Sequence, residues 1–361
     1  MINVTQTFLP DLEEYQKILK RAWDKKWMTN RGELLLELET KLKEYLIDVP
    51  DFFITTNGTL PLQIALKALS LEGEIITTPF SYVATTSSIV WEGCTPVFAD
   101  IESTNLTLDP NKIEAVITDK TTAIIATHVF GNPCDVEAID AIAKKHDLKV
   151  IYDAAHCFAA RYKNKSLFDY GDVCTTSFHA TKLFHTGEGG ALFVQDKELY
   201  KKMYYHHNFG HNGPLEFHGL GVNAKASEMQ AAMGLAVLPY MDQIIVKRKA
   251  ISDTYERLLG VVSGITIFQY RKGTTRNYSY MPILFDTEEI MNAVLIALEK
   301  KAIKCRRYFY PSLNTLPYMK NHVSMPISES VCSRILCLPL YSELSFKSVH
   351  LVVETIIETI Q

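Results

Sequence analysis

The chain has 361 residues, 47% hydrophobic and 22% charged, with a formal net charge of −4. That is globular composition with enough apolar material for two domains. No stretch reaches the ~18 uninterrupted apolar residues of a bilayer span, and the opening MINVTQTFLPDLEEY is acidic where a signal peptide would be basic and then apolar. A cytoplasmic protein is expected. The longest basic run, Lys247-Arg248-Lys249, disfavours nucleic acid as the main partner. Seven cysteines, odd in number and without a C-x-x-C pair, suggest neither a disulfide framework nor a zinc knuckle.

The first 45 residues contain a helical run, Leu34 to Tyr45, whose packing partner the sequence leaves open. From about residue 50 to 195, short β-branched apolar runs alternate with amphipathic stretches. Strands are predicted at Phe52 to Thr55, Glu74 to Thr78, Pro96 to Ala99, Ala123 to His128, Lys149 to Tyr152, Val173 to Phe178 and Ala191 to Val194. Leu62, Ala65, Leu66 and Leu69 mark one crossover helix, and Val136, Ile139, Ile142 and Ala143 mark another. Two helical segments follow over about 226–260, then mixed strand and helix to the end. The pattern predicts an α/β protein: a large domain, 1–240, with a mostly parallel mixed sheet, and a smaller C-terminal α+β domain, 241–361.

Ligands of open α/β sheets sit beyond the carboxyl ends of strands. Four such places carry chemistry. Thr55-Thr56-Asn57-Gly58-Thr59 ends a strand and opens a helix, where free N–H groups and the Thr59 hydroxyl can cradle a phosphate; an Asn-Gly turn with a threonine N-cap is the plainer alternative. Tyr82, just past a strand, can lie over a planar ring. Asp153 ends another buried strand and can pair with a protonated pyridine nitrogen, with His156 one turn on. In Ser177-Phe178-His179-Ala180-Thr181-Lys182, the lysine can form an imine with pyridoxal, and desolvation in a cleft would lower its pKa. Ser177 offers a hydroxyl to the same phosphate.

At these residues the sequence resembles the DegT/StrS sugar aminotransferases, members of the fold-type I (aspartate aminotransferase-like) enzymes. The matching runs include TTNGTLPLQIALKAL (55–69), TTPFSYVATTSSIVWEGCTPVFADI (77–101), SFHATKLFHTGEGGALF (177–193) and GVNAKASEMQAAMGL (221–235). The resemblance implies pyridoxal 5'-phosphate as cofactor, with Gly58, Thr59 and Ser177 on its phosphate, Tyr82 stacked on its ring, Asp153 on the ring nitrogen, His156 near the 3-oxygen and Lys182 as the Schiff-base lysine. It implies a homodimer in which Asn223 reaches the neighbouring subunit's cofactor.

The same resemblance implies that L-glutamate gives its amino group to a nucleotide-linked keto sugar. Lys182 favours transamination over dehydration, because related dehydratases carry histidine there. Ser177-Phe178-His179 and Glu188-Gly189-Gly190 follow the style of enzymes aminating C-4, which points to dTDP-4-keto-6-deoxy-D-glucose and to O-antigen or other surface polysaccharide. A C-3 aminotransferase and a non-catalytic regulator or sugar-nucleotide binder are the alternatives. Glu188, Arg306, Arg307 and Tyr308 are the expected substrate contacts. Two departures stand out: Thr29-Asn30-Arg31-Gly32-Glu33 lacks the usual Gly-Pro after the asparagine, and Lys225 replaces a common arginine.

Overall fold

The computed structural model describes residues 1–319 and 322–361. Strands β1 (Asp51–Thr55), β2 (Glu74–Thr77), β3 (Thr95–Phe98), β4 (Thr121–Thr127) and β5 (Lys149–Asp153) are followed by a small hairpin, β6 (Arg161–Tyr162) and β7 (Lys165–Ser166), and then by β8 (Val173–Ser177) and β9 (Gly190–Val194). Seven of these form one sheet in the order β1-β9-β8-β5-β4-β2-β3. Only β9 runs against its neighbours; the other pairings are parallel.

Side chains of a strand alternate between faces, and a sheet covered on both sides must be apolar at every position. Here Ile54, Ile76, Ile124, Tyr152 and Phe193 enter one core. Their immediate neighbours Phe53, Ile75, Ile125, Ile151 and Leu192 enter another on the opposite face. This two-sided burial is why the strands read as continuous apolar runs.

Helices α1 (Leu12–Lys25) and α2 (Glu33–Leu46) precede the sheet, α3 (Leu60–Ala68), α4 (Val83–Trp91), α5 (Pro110–Ile113) and α6 (Val136–His146) intersperse its strands, and α7 (Lys197–His206) follows the last of them. After α8 (Glu228–Val237) and α9 (Met241–Leu259), strands β10 (Ile265–Ile267), β12 (Pro282–Phe285) and β13 (Ile335–Cys337) make a three-stranded antiparallel sheet. Helices α10 (Glu288–Lys300) and α12 (Phe346–Ile360) pack with it around Phe285, Val294, Leu298, Val352 and Ile356, with α11 (Pro326–Arg334) leading into β13. Strand β11 (Thr274–Thr275) instead joins the β6/β7 hairpin.

Helix α9 belongs to both halves: Met241 and Ile244 pack in the core under the large sheet, whereas Ile251, Tyr255 and Leu259 pack in the C-terminal core. The N-terminal segment is also divided. Ile2 pairs with Ile303 and the Leu340 N–H donates to the Val4 carbonyl at 3.0 Å, while α2 lies against the large-sheet core through Leu34, Leu35 and Leu38. The buried Glu228 carboxylate accepts from the Leu34 and Leu35 N–H groups at 2.8 and 3.2 Å, capping an α2 N-terminus that has no side-chain cap of its own. The helical stretch Glu228–Leu259 is long and apolar enough to cross a membrane by composition, but half of that window is buried in the protein. All seven cysteines are unbridged, six of them buried.

Candidate active site

A cavity of about 580 Å³ opens beyond the carboxyl ends of β5 and β8, lined by Gly58, Thr59, Tyr82, Asp153, His156, Ser177, Lys182, Glu188, Tyr280, Arg306 and Tyr308 among others. Ten of the twelve residues singled out from the sequence meet here. A groove of about 630 Å³ at the opposite ends of these strands, among Asp140, Asp147 and Asp172, holds none of them.

One end is built on the first turn of α3. The Asn57 carboxamide oxygen accepts from the Thr59 and Leu60 N–H groups at 2.9 and 3.0 Å, so Asn57 caps the helix. Thr59, the N-cap by position, makes no side-chain cap bond and keeps its hydroxyl for the cavity. A Cβ on Gly58 would sit 2.6 Å from Ser177 Cβ. Glycine is therefore what lets this turn lie against the end of β8, bringing the positive end of the helix dipole, Thr59 and Ser177 together.

Asp153, the last residue of β5, is 6% exposed. Its Oδ2 accepts from the Thr85 hydroxyl at 2.7 Å and its Oδ1 from the Ala155 N–H at 3.1 Å. Among the described residues no cationic side chain forms a salt bridge with it. A buried carboxylate held only by neutral donors is set to receive a cation from the cavity.

Lys182 follows β8 in a turn closed by its N–H on the His179 carbonyl at 2.8 Å. Its Nζ lies 3.4 Å from the Tyr280 hydroxyl. Burial lowers its pKa to about 8, against an opposing pull from Asp153. Tyr280 arrives from the C-terminal half on a segment with firm anchors: Asn277 donates to the His156 and Phe158 carbonyls at 2.8 and 2.9 Å, and Arg248 donates to the Tyr278 and Ser279 carbonyls at 2.8 and 2.7 Å.

His156 Nδ1 accepts from the Phe130 N–H at 3.0 Å, and burial drives its pKa well below the ordinary value, so the ring is neutral with its proton on Nε2. Its ring lies parallel to Phe309, with centroids 5.7 Å apart. Tyr82 is 52% exposed beside the cavity. At the rim Glu188 faces His179 at 3.5 Å, and Arg306 lies 4.6 Å over the Tyr308 ring.

Two expected residues lie elsewhere. Arg307 turns away to Glu288 and the Ser333 carbonyl, both at 2.8 Å, and stacks on Tyr310, so the expected cationic pair is split. Asn223 is exposed and bridges Asn208 outside the cavity. Sequence reasoning missed Asn57, Thr85 and Tyr280 as individual contributors. The first two lie inside quoted motifs, three residues from a recognised position or next to one; Tyr280 carries no local signal.

The family profile described as DegT/DnrJ/EryC1/StrS aminotransferase family matches residues 11–357. A dTDP-4-amino-4,6-dideoxy-D-glucose transaminase of Escherichia coli is 41% identical over 354 residues, 95% of each chain. The protein of that name from Shigella dysenteriae is 40% identical over 366 residues, 99% of this chain and 98% of its own. Among solved structures, DesI in the presence of its TDP-sugar product superposes with a TM-score of 0.94 at 30% identity, covering 99% of this chain and 92% of its own.

Proposed function

Because this chain belongs to the DegT/DnrJ/EryC1/StrS aminotransferase family, we propose that it moves the amino group of L-glutamate to C-4 of dTDP-4-keto-6-deoxy-D-glucose, giving a dTDP-4-amino-4,6-dideoxyhexose for surface polysaccharide. It acts in the cytoplasm, as a homodimer in which Asn223 serves the neighbouring subunit's site. The observation that carries the reading is the meeting of Lys182 and the unpaired carboxylate of Asp153 in one cavity. Identity of 40–41% with relatives named for that product supports the substrate.

Pyridoxal 5'-phosphate fits the donor set. Asp153 awaits a cation such as a pyridinium N–H, the α3 turn with Thr59 and Ser177 suits a phosphate, and Gly58 cannot carry a side chain without striking Ser177. When bound, the cofactor supplies an aldehyde that condenses with amines and a ring that takes up the electron pair left by a broken C–H bond.

Lys182 Nζ is the amine that would hold the cofactor through its aldehyde, and once freed it would move protons. A value of about 8 leaves a usable neutral fraction near pH 7, which suits it to take the α-proton of glutamate and, in the second half of the exchange, to deliver a proton to C-4 of the sugar. The Tyr280 hydroxyl fixes the direction of that amine. Neutral His156, its ring parallel to Phe309, would offer its Nε2–H near the 3-oxygen. Tyr82 would stack on the cofactor ring, and Arg306 with Tyr308 would receive the nucleotide diphosphate at the rim.

Incubation with glutamate and the 4-keto sugar nucleotide, with product NMR, tests the proposal. An amine at C-4 is expected; amination only of the 3-keto isomer overturns the position. A relative named pleiotropic regulatory protein in Geobacillus stearothermophilus, 33% identical over 309 residues, favours a non-catalytic second reading. A yellow protein that glutamate bleaches excludes it.

A further inference from the structure

Behind Asp153 runs a line of three buried hydroxyls that the reaction outlined above does not use. Thr85 Oγ1 donates to Asp153 Oδ2 at 2.7 Å; Ser81 Oγ lies 2.7 Å from Thr85 Oγ1; Thr127 Oγ1 donates to Ser81 Oγ at 2.9 Å. The three come from α4, the turn ahead of it and the end of β4, and are 0%, 1% and 3% exposed. Neither Ser81 nor Thr127 lines the cavity.

A hydroxyl carries one proton to donate, and an ionised carboxylate only accepts. Thr85 must therefore direct its proton at Asp153, and so must accept from Ser81, which in turn accepts from Thr127. All three O–H groups then point one way, each polarising the next toward the carboxylate.

We propose that Ser81 and Thr127 are positioning residues that hold the Asp153 carboxylate in a fixed orientation, without help from a cationic side chain and without touching the cofactor. This rests on reading Asp153 as the partner of the pyridine nitrogen. The line stabilises the charge that would draw a pyridinium proton, so its effect reaches the cofactor through one carboxylate only.

The test uses the full-length protein loaded with pyridoxal 5'-phosphate. Thr127→Val removes the hydroxyl and keeps the shape; Thr127→Ser removes the methyl and keeps the hydroxyl. For the loss of one buried hydrogen bond, Thr127→Val is expected to weaken cofactor retention about three- to tenfold and to shift the visible absorption band. Thr127→Ser restores both, and Ser81→Ala moves both as Thr127→Val does. Valine and serine variants that behave alike overturn the proposal, and so does a Ser81→Ala variant with wild-type band and retention. Asp153→Asn separates the two failures: no change there overturns the reading of Asp153 itself, whereas a change there with none in Thr127→Val overturns only the hydroxyl line.

Discussion

At the carboxyl end of β5 the polar groups have buried partners: Asp153 has Thr85 and the Ala155 N–H, and His156 has the Phe130 N–H. Around the rim Glu188 and Arg306 are exposed and meet the protein through one long ion pair and one ring. The inner wall is held rigid where bond-making demands a fixed geometry. The rim keeps rotamer freedom, which suits a large and extended substrate whose binding orders it. The inner wall should therefore govern rate and cofactor, and the rim affinity for the sugar nucleotide.

Removing the central amine tests that division most severely. Lys182→Ala should lower turnover by ~10²–10⁴ or more, measured as 2-oxoglutarate release under saturating substrates; turnover near wild type would end the assignment. Gly58→Ala comes next. The added Cβ, 2.6 Å from Ser177 Cβ, should weaken cofactor retention roughly tenfold or more by overpacking the proposed phosphate cradle, read by fluorescence titration.

The rim should answer differently. If Arg306 meets the diphosphate as proposed, Arg306→Ala is expected to raise KM for the sugar nucleotide about five- to twentyfold with kcat within about twofold, since the contact would lie outside the reacting centre. Its sequence neighbour gives the control. Arg307 is bonded to Glu288 and to the Ser333 carbonyl, so Arg307→Ala should leave KM unchanged and lower Tm by a few degrees, for about 1–2 kcal/mol of lost structure. Equal KM effects from the two would erase the distinction between them.

The smallest effect concerns pH. In the cofactor-free protein Lys182 should react with an amine-specific reagent along a curve centred near pH 8. Its folded value lies below the ordinary 10.5, so between about 8 and 10.5 the unfolded chain binds more protons and stability rises with pH across that window. Lys182→Met should flatten the slope there. An unchanged slope in that variant assigns it to other groups.

The large sheet was legible because its strands are buried on both faces. Each shows as an unbroken apolar run, and the polar residue that ends the run lands in the cavity, as Asp153 and Ser177 do. Asn57 was legible in principle, since an asparagine three residues before a helix start can accept from its first N–H groups, but Thr59 occupies the N-cap position itself. The splitting of Arg306 from Arg307 follows from extended backbone: Arg306 pairs with Cys337 in an antiparallel bridge, and successive residues of such a segment face opposite sides. Charge alone does not reveal it. Tyr280 was invisible for another reason. It reaches Lys182 across 98 residues of sequence because Asn277 and Arg248 fasten its segment, and neither has a local pattern that announces the contact.

The single reversed strand has a structural consequence of its own. Because β9 returns alongside β8, Ser177 and Gly190 are direct partners in the sheet, and the thirteen-step excursion between them is an arch with both feet on the same wall. Within it the Phe178 N–H bonds to the Gly189 carbonyl and the Ala180 N–H to the Gly187 carbonyl, so the arch is stitched shut at its base. The span that carries Lys182 behaves as a closed bracket whose size is fixed by its stitches, and lengthening it would move the amine off its mark even with every cavity residue retained.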